Sequence, residues 1–465
     1  MMMNQDTICA VATAQGGAIG VVRVSGPEAI RMTSEIFTPI GDRPLDERKA
    51  YTLTFGRLLS TEGEVIDEVL VSLFRAPHSY TGEEATEISC HGSVYILQQV
   101  MQRLIGCGCR MALPGEFTQR AFLNGKMDLS QAEAVADLIA SSSAATHRLA
   151  MNQMRGGFSK ELSVLRDKLL HLTSLMELEL DFSDHEELEF ADRSELSQIA
   201  ADIERVIARL ADSFSVGNAL KNGVPVAIVG ETNAGKSTLL NALLNEEKAI
   251  VSDVHGTTRD VIEDTIFING TLFRFIDTAG IRQTTDVVES IGIERTFRKL
   301  DQADIVLWMI DGTTSHDFEV LKADILPRCA DKRLLVLFNK CDLLSPERCK
   351  ELTTAFADVD APRLFLAAKN RTGLTELQNH LLRAAALPEV TQNDLIVTNL
   401  RHYEALTRAL DAIHRVQSGL SARLSGDFVS QDLRECLSHL AEILGGSFDV
   451  EDVLGNIFRN FCIGK

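Results

Sequence analysis

The sequence predicts a multidomain protein of the α/β and α classes, with an α+β N-terminal domain, a helical-bundle domain and an α/β domain inserted into that bundle. Three observations predict this architecture. Short apolar stretches typical of strands, such as 20–24 and 69–74, accompany an amphipathic stretch at 94–104. Long helical periodicity starts near residue 130, stops near 215 and resumes near 400. Between these helical parts, the pattern changes to strand, glycine loop and helix.

The helical periodicity sets approximate domain limits. A length of 465 residues suggests roughly three domains. A bundle that ends near 215 and restarts near 385 would close its core across the inserted domain. We expect helices at 132–141, 163–180, 194–214, 401–420 and 430–444, with an acidic turn at 181–189. The predicted domains are 1–120 (N-terminal), 121–217 (helical, first part), 218–382 (inserted) and 383–465 (helical, second part).

Composition narrows the class of protein. An apolar content of 45% is enough for packed cores, and the net charge of −20 argues against a surface that mainly wraps nucleic acid. The nine cysteines are scattered, without metal-ligand spacing, which is typical of reduced cytoplasmic thiols. No apolar run reaches membrane-spanning length. The N-terminus has no lysine or arginine before Arg23, so we do not expect a signal peptide.

The inserted domain begins with a phosphate-binding motif. The apolar run 224–229 predicts a buried strand, and it leads into Gly-x-x-x-x-Gly-Lys-Ser and a helical stretch. Glycines let backbone N–H groups converge on phosphate oxygens, and the helix N-terminus adds positive potential. Lys236 should reach the β- and γ-phosphates, and the Ser237 hydroxyl should bind Mg²⁺. A plain glycine turn is the alternative. The candidate contacts of this loop are Asn233, Ala234, Gly235, Lys236, Ser237 and Thr238.

A second motif follows about fifty residues later. Asp277, Thr278, Ala279 and Gly280 come directly after the apolar stretch 272–276. Asp277 would hold Mg²⁺ through water, and the Gly280 amide would face the γ-phosphate. The tetrapeptide is by itself a common turn, and its position after a phosphate loop is what favours the nucleotide site.

A third motif specifies the base. Asn339, Lys340 and Asp342 follow the apolar strand 334–338. The Asp342 carboxylate can accept both guanine donors, N1–H and the exocyclic amine, whereas adenine would leave the carboxylate unsatisfied. The chain therefore predicts GTP rather than ATP. The loop Ala367-Ala368-Lys369 stands where Ser-Ala-Lys is usual, and we expect the loss of the hydroxyl to be tolerated because a backbone amide makes the base contact.

Together these motifs predict a Ras-like P-loop GTPase domain that departs from Ras at one position. Ras-like proteins place a water-positioning glutamine directly after the glycine of the second motif, and this chain has Ile281 there. Another group must therefore orient the attacking water. Glu289 lies a few residues further on, although a solvated helix glutamate is the ordinary interpretation of such a residue.

Outside the inserted domain, three segments and the terminus carry a family resemblance. They are 20–26 (GVVRVSG), 79–83 (SYTGE), 114–118 (PGEFT) and 461–465 (FCIGK). With the GTPase motifs and Gly256-Thr257-Thr258, the chain resembles the MnmE (TrmE) family of bacterial tRNA uridine-modification GTPases along nearly its whole length. The substitution of Ala367 for serine is one of few departures.

The resemblance implies that the N-terminal domain binds a tetrahydrofolate derivative (5,10-methylene- or 5-formyl-tetrahydrofolate) and forms a homodimer. Arg23, Glu87 and Lys126 would contact the folate, with Lys465 nearby. A pterin edge offers two donors that suit Glu87, and the anionic tail suits Arg23 and Lys126. Without the family, each of these residues is a surface charge or part of a structural ion pair. Cys462 is either a reactive catalytic thiol near the folate or a small packed residue.

The resemblance also implies hydrolysis of GTP that K⁺ activates. K⁺ would take the place of an arginine finger, a position worth roughly 10³–10⁵ in rate. Asn233 would bind K⁺ by its side chain, and backbone oxygens of Ser252, Val254 and Thr257 would complete the site. Thr258 would join Ser237 on Mg²⁺, and Glu289 would orient the water. The loop next to the nucleotide comprises Ser252, Asp253, Val254, His255, Gly256, Thr257 and Thr258.

The implied activity is tRNA modification in the cytoplasm. The family acts with the flavoprotein MnmG (GidA), which supplies FAD and NADH, to add a carboxymethylaminomethyl or aminomethyl group to C5 of the wobble uridine U34. An assembly GTPase of the Era or EngA type, which binds ribosomal RNA, is the alternative. Such proteins usually have a basic KH-like module, and this chain has an acidic balance and a folate-type N-terminal half instead.

Overall fold

The computed structural model describes residues 6–14, 16–181, 193–247, 264–276, 300–315, 317–388, 390–391 and 394–446. The described residues divide into two compact units. The first unit comes from Met1–Ala140, Ala150–Ala208 and Glu404–Lys465, and the second from Ser141–Leu149 and Arg209–Tyr403. The predicted multidomain α/β and α class is confirmed, because two sheets and two sets of helices form these units.

The N-terminal part of the first unit is a seven-stranded sheet with the order β3-β4-β5-β6-β2-β1-β7. Neighbouring strands are antiparallel except for β1 and β7. Its strands are β1 (Ile8–Val11), β2 (Ile19–Ser25), β3 (Phe37–Pro39), β4 (Thr52–Leu59), β5 (Val65–Phe74), β6 (Ala85–His91) and β7 (Arg110–Met111). Helices α1 (Ala29–Ile36), α2 (Val94–Gly106) and α3 (Glu116–Leu123) accompany the sheet.

Alternating side chains give this sheet one buried face and a second face that is open at β4 and β5. In β5, Val69 and Val71 are buried while Leu70 is exposed, as the two-residue period of a strand requires. The amphipathic helix α2 buries Leu97 and Val100 in the same core as the valines. The opposite face is exposed along β4 and β5, but at β1 it is covered, because Phe117 of α3 is buried together with Ile8 and Ala10. The candidate folate residues of β2 and β6 lie on this second face.

The helical part of the first unit contains the long helices of the chain. The helix Gly426–Leu444 packs against the helices Gly157–Asp181 and Leu129–Ala140. The helices are α4 (Leu129–Ala140), α5 (Ala144–Met154), α6 (Gly157–Asp181), α7 (Arg193–Asn222), α12 (Leu400–Ser421) and α13 (Gly426–Leu444), of which α5, α7 and α12 also extend into the second unit. The sequence did not predict α3, which has 8 residues, or α5, which has 11.

Helix α7 also runs further than predicted. The expected helix covered 194–214, whereas α7 ends at Asn222. Gly217 lies within this extension, and a Cβ there would overlap the carbonyl oxygen of Val397. The glycine therefore permits a close backbone approach inside a continuous helix rather than ending it.

The second unit contains a six-stranded sheet with the order β13-β12-β11-β8-β10-β9, in which only β9 is antiparallel to its neighbour. All of β11 is buried and so is most of β8, as expected for parallel strands covered on both faces. The strands are β8 (Val224–Gly230), β9 (Asp264–Ile268), β10 (Thr271–Phe275), β11 (Ile305–Asp311), β12 (Arg333–Asn339) and β13 (Arg363–Phe365).

Local sequence signals define the helices around this sheet. The helices are α8 (Lys236–Glu247), α9 (Phe318–Ile325), α10 (Pro346–Ala355) and α11 (Leu374–Ala385). The Asp317 side chain caps α9 by accepting from the Val320 amide, and Ser345 caps α10, which has Pro346 in its first turn. α11 buries Leu374, Leu377 and Leu381, a spacing that forms one face of a helix.

Candidate functional site

The parallel strands of the second unit bring the phosphate motif and the base motif to one edge of the sheet. β8, β11 and β12 are adjacent and parallel, so Gly230, Asp311 and Asn339 end their strands at the same edge. The carboxyl edge of such a sheet is where open α/β proteins place their ligands. The phosphate motif and the base motif are therefore neighbours.

Glycines shape the phosphate loop. Gly230 has φ +149° and Gly235 has φ +101°. A Cβ at Gly230 would overlap the Met309 carbonyl oxygen, and one at Gly235 would overlap the Asn339 side-chain amide. Both positions thus require glycine for backbone conformation and for space. Helix α8 begins directly after Gly235, so its free N–H groups face the loop.

The remaining loop residues are arranged around Lys236. Its Nζ donates to the carbonyl oxygens of Gly230 and Glu231, each at 2.7 Å. Ala234 is buried, whereas Asn233 is exposed and has a left-handed backbone with φ +65°. Ser237 is half-buried and Thr238 is exposed at the start of α8.

Asn339 joins the phosphate loop to the base loop. Its Nδ2 donates to the Ala234 carbonyl at 2.7 Å, and its Oδ1 accepts from the Ala368 amide at 3.0 Å. Asn339 is 4% exposed. Both ends of its amide are therefore used, and the loops that contribute Ala234 and Ala368 are held at a fixed separation.

Lys340 is held by a carboxylate that sequence reasoning did not identify. Its Nζ forms an ion pair with Asp311, which also accepts from the Thr313 amide and hydroxyl at 3.0 and 2.6 Å. Burial by itself would raise the pKa of Asp311, but the hydrogen bonds from Lys340 and Thr313 hold that pKa below its usual value. The sequence feature that could have identified Asp311 is its position as a charged residue at the end of an otherwise apolar strand, β11.

The carboxylate that the sequence predicts to specify the base lies just beyond Lys340. Asp342 is exposed in a short turn, Cys341–Leu343, and its Oδ2 accepts from Asn370 Nδ2 at 2.9 Å. In the loop that contains Asn370, Ala367 and Ala368 are buried and Lys369 is exposed. The phosphate loop, the base motif and this loop therefore all contribute described residues to one edge of the sheet.

Other candidates of the GTPase domain and the chain terminus lie outside the described residues. These are Ser252, Asp253, Val254, His255, Gly256, Thr257, Thr258, Asp277, Thr278, Ala279, Gly280, Glu289, Cys462 and Lys465. Their predicted roles stay predictions.

The first unit contains the other group of candidates. Arg23 on β2 and Glu87 on β6 are direct cross-strand partners. Arg23 Nε and Nη2 lie 2.9 and 2.8 Å from Glu87 Oε1, and the two side chains are 21% and 29% exposed. The structural ion pair that is expected without the family resemblance is thus present, at the partly open surface of the sheet.

Two aromatic rings flank Arg23. Its guanidinium carbon lies 5.5 Å from the Tyr80 ring centre and 5.6 Å from the Phe117 ring centre. The Tyr80 hydroxyl is 2.8 Å from Thr118 Oγ1. Burial raises the pKa of Tyr80, so the ring remains neutral over the cation. These aromatic residues belong to the family segments 79–83 and 114–118, but the sequence did not indicate a role for either ring.

Lys126 lies beside the loop that contains Tyr80. Its Nζ donates to the Pro77 carbonyl at 2.9 Å, and a Cβ on Gly82 would contact its side-chain carbons. Lys126 itself is exposed. The structure therefore associates Arg23 and Glu87 directly, and it brings Lys126 to the loop that covers Arg23.

A buried arginine, Arg120, forms ion pairs next to the loop that contains Tyr80. Arg120 is 3% exposed and forms ion pairs with Asp6, Glu83 and Glu116. Burial alone would raise the pKa of Glu116, but hydrogen bonds, chiefly from Arg110, hold that pKa below its usual range. The stabilisation from Glu116 is therefore present above the ordinary carboxyl pKa and is lost as pH falls through the lowered value.

His91 makes a structural contact. Its Nδ1 lies 2.8 Å from Asp67 Oδ1, and its backbone amide donates to Asp67 Oδ2 at 2.8 Å. Asp67 is buried while the His91 ring is exposed. The pair ties the end of β6 to β5 and agrees with a structural histidine.

The described part of the chain has neither a cluster of metal-binding side chains nor a membrane-spanning helix. No group of three or more His, Cys, Asp or Glu residues there has the arrangement of a metal site. None of the helices in the described ranges is both long and apolar enough to cross a membrane.

Comparisons with known proteins cover the whole chain. A family model described as GTP-binding protein TrmE N-terminus matches residues 7–126, and one described as MnmE helical domain matches residues 129–462. Three relatives, each named tRNA modification GTPase MnmE, align over 100% of both chains. They come from Phocaeicola vulgatus (67% identical), Bacteroides fragilis (69% identical) and Bacteroides thetaiotaomicron (68% identical).

Proposed function

The chain belongs to the MnmE family of tRNA modification GTPases, and from that premise we propose that it hydrolyses GTP in the service of wobble-uridine modification. The modification is the addition of a carboxymethylaminomethyl or aminomethyl group to C5 of U34. The bridge that Asn339 makes between Ala234 and Ala368 is the observation that supports the nucleotide site most strongly.

The phosphate loop fits a triphosphate. Gly230 and Gly235 leave no room for side chains and permit close approach of the backbone, and α8 directs its N-terminus at the loop. Lys236 would exchange its two backbone carbonyl contacts for β- and γ-phosphate oxygens, a stronger charge-assisted interaction. Asn339 would keep the loop aligned with the base pocket during this exchange.

Two cations would assist hydrolysis. Mg²⁺ would be held by Ser237 at the start of α8, with Thr258 and, through water, Asp277. K⁺ would be held by the Asn233 side chain and the backbone oxygens of Ser252, Val254 and Thr257. Oxygen ligands suit both hard cations, and Asn233 fits because its exposed side chain directly precedes the buried part of the loop. Positive charge at the K⁺ position stabilises the negative charge that develops during phosphoryl transfer.

Hydrolysis should depend on the monovalent cation. We expect faster GTP turnover in K⁺ than in Na⁺, and we expect Asn233→Ala to abolish the difference because it removes the only side-chain ligand proposed for K⁺. Steady-state phosphate release in the two salts at equal ionic strength measures this. Glu231→Ala, in the same exposed part of the loop, is the matched control and should retain the K⁺ dependence. Equal rates of the unmodified protein in both salts would refute the proposed cation site.

The N-terminal domain would bind the tetrahydrofolate donor, which supplies the one-carbon unit when bound. Glu87 suits the two adjacent N–H donors of a pterin edge, and Arg23 holds that carboxylate in place through Oε1. Tyr80 and Phe117 restrict Arg23 between their rings. Lys126, with Lys465, would meet the anionic tail of the folate.

We propose that the homodimer forms through the open face of the N-terminal sheet. Phe55 on β4 and Leu70 on β5 are direct cross-strand partners, and they are 45% and 39% exposed. Leu53 on the same face is 60% exposed. An apolar patch of this kind on an open sheet face is typical of an association surface, and a second copy would place its folate residues next to those of the first.

The flavoprotein MnmG (GidA) is the proposed heterologous partner, and it would contribute FAD and NADH. The net charge of −20 argues that this chain does not provide the main tRNA-binding surface. The tRNA would therefore be held mainly by the partner in a cytoplasmic complex. GTP hydrolysis would drive a domain movement rather than the transfer of carbon.

Deletion of the gene tests the function as a whole. We expect tRNA from the deletion strain to lose the C5 aminomethyl-type group at U34 and to regain it when the full-length chain is restored. Mass spectrometry of wobble nucleosides measures both states. An unchanged nucleoside profile in the deletion strain would contradict the proposed function, and altered ribosomal subunit ratios instead would favour an assembly GTPase.

A further inference from the structure

The carboxylate that would recognise guanine, Asp342, accepts a hydrogen bond from the side-chain amide of Asn370. Asp342 lies in the turn after β12 and its side chain is exposed. Packing against neighbouring side chains therefore does little to restrict its rotamer. Asn370 Nδ2 donates to Asp342 Oδ2 at 2.9 Å. The contact joins two loops that are 28 residues apart in sequence, so it exists only in the folded domain.

The loop that presents Asn370 is closely constrained. The Ala367 and Thr372 backbones exchange two hydrogen bonds, at 3.1 and 3.2 Å, and the Asn370 backbone amide donates to the Ala367 carbonyl at 3.0 Å. Arg371 has a left-handed backbone with φ +58°, and Gly373 follows with φ +81°. These backbone hydrogen bonds hold the Asn370 backbone in a defined position, from which its side chain reaches Asp342.

The two alanines at the start of this loop cannot replace that donor. Ala367 and Ala368 are buried and have no polar side-chain atoms. Their backbone amides are already used, by Thr372 and by Asn339. The loop therefore touches the base motif at two points: Asn339 accepts from its backbone, and Asn370 donates to Asp342.

We propose that Asn370 is a positioning residue for guanine recognition, which fixes the Asp342 carboxylate so that its two oxygens face the N1–H and the exocyclic amine of the base. The proposal rests on the assignment of Asp342 as the group that recognises the base. An oxygen of a carboxylate accepts more than one hydrogen bond, so Oδ2 can bind Asn370 and guanine together. A neutral amide also leaves the full negative charge available to the base, which a lysine or arginine partner would partly neutralise.

Comparison of two nucleotides isolates this role. Hypoxanthine lacks the exocyclic amine, so IDP makes one hydrogen bond to Asp342 where GDP makes two. Loss of carboxylate orientation should therefore weaken the two-point contact of GDP more than the one-point contact of IDP. The ratio of the IDP and GDP dissociation constants then reports orientation, and IDP binding itself reports an intact site.

The experiment measures GDP and IDP binding to the full-length chain by calorimetry. We expect Asn370→Ala to weaken GDP binding about 3- to 10-fold, the effect of one ordinary hydrogen bond, and to lower the ratio of dissociation constants at least about twofold. Asn370→Asp should weaken GDP binding further because it places a like charge beside Asp342. Asn379→Ala, an exposed asparagine on α11, is the control and should change neither constant.

A double-mutant cycle decides whether Asn370 acts through Asp342. In an Asp342→Ala background, Asn370→Ala should have no further effect on GDP binding. An additional loss there, or an equal loss of GDP and IDP in the single variant, would overturn the positioning role. If Asp342→Ala itself left the ratio unchanged, the assignment of the base site would be wrong, and that outcome is distinct from failure of the Asn370 proposal alone.

Discussion

Replacement of Asp342 by asparagine is expected to weaken GTP binding on the order of 10²- to 10³-fold, because two charge-assisted hydrogen bonds become one neutral hydrogen bond and the asparagine NH₂ faces the second guanine donor. The same variant should gain affinity for xanthosine triphosphate. Xanthine presents an acceptor where guanine has its amine, and the side-chain amide of the variant would donate to that acceptor while its oxygen accepts from N1–H. Competition of each nucleotide against labelled GDP measures both affinities.

A matched control separates base recognition from general surface charge. Asp360 is an exposed carboxylate in the turn before β13. Asp360→Asn removes the same charge from the same domain and should leave both affinities unchanged. Continued preference of Asp342→Asn for GTP over xanthosine triphosphate would remove Asp342 from the base site.

The second large effect concerns Glu87. We expect Glu87→Gln to weaken binding of 5-formyl-tetrahydrofolate on the order of 10²-fold, since the charged acceptor for two pterin donors becomes a neutral amide with one acceptor atom. Glutamine retains the shape of the side chain, and Arg23 keeps its position between Tyr80 and Phe117. Calorimetry measures the affinity. Modification of U34 should fall with folate binding, whereas GTP hydrolysis should remain near its original rate because the GTPase domain has its own core.

The same sheet provides a control for the ion pair itself. Arg57 on β4 and Glu68 on β5 are also cross-strand partners, and Arg57 Nε lies 3.2 Å from Glu68 Oε1. They form the same kind of pair as Arg23 and Glu87 on β2 and β6. Glu68→Gln breaks this second pair without altering the proposed folate residues, and it should leave folate binding intact. Sedimentation of both variants checks that the homodimer persists. Normal folate affinity in Glu87→Gln would leave Glu87 as a structural ion pair only.

The nucleotide motifs illustrate how much of the site was predictable. The run 224–229 predicted the strand that became β8, and 334–338 predicted β12, because both are continuous apolar stretches with glycine or polar punctuation. The spacing of its glycines predicted the phosphate loop. Glycine is needed at these positions because the backbone is left-handed and leaves no room for a Cβ. Such signals are local and survive without knowledge of the fold.

Less of the helical region was predictable. The expected helix at 194–214 continues to Asn222, and within this extension Gly217 allows the close approach of the Val397 carbonyl, which lies far along the chain. Helices α3 and α5 have 8 and 11 residues. Segments of this length contain too few turns for a helical period to be recognised in the sequence. The contact at Gly217 involves a partner that is distant in sequence, so no local pattern indicates it.

The sequence by itself determined the GTPase class of the protein, since a glycine loop, a carboxylate predicted to specify guanine and the family segments each depend on residue identity over a few positions. Only the tertiary structure decided which groups hold that chemistry in place. It paired Arg23 with Glu87 in register, Asp311 with Lys340, and Asn370 with Asp342. Hydrogen bonds act over about 3 Å, whereas these partners are 28 to 64 residues apart, so their pairing depends on strand order and loop geometry that no local pattern encodes.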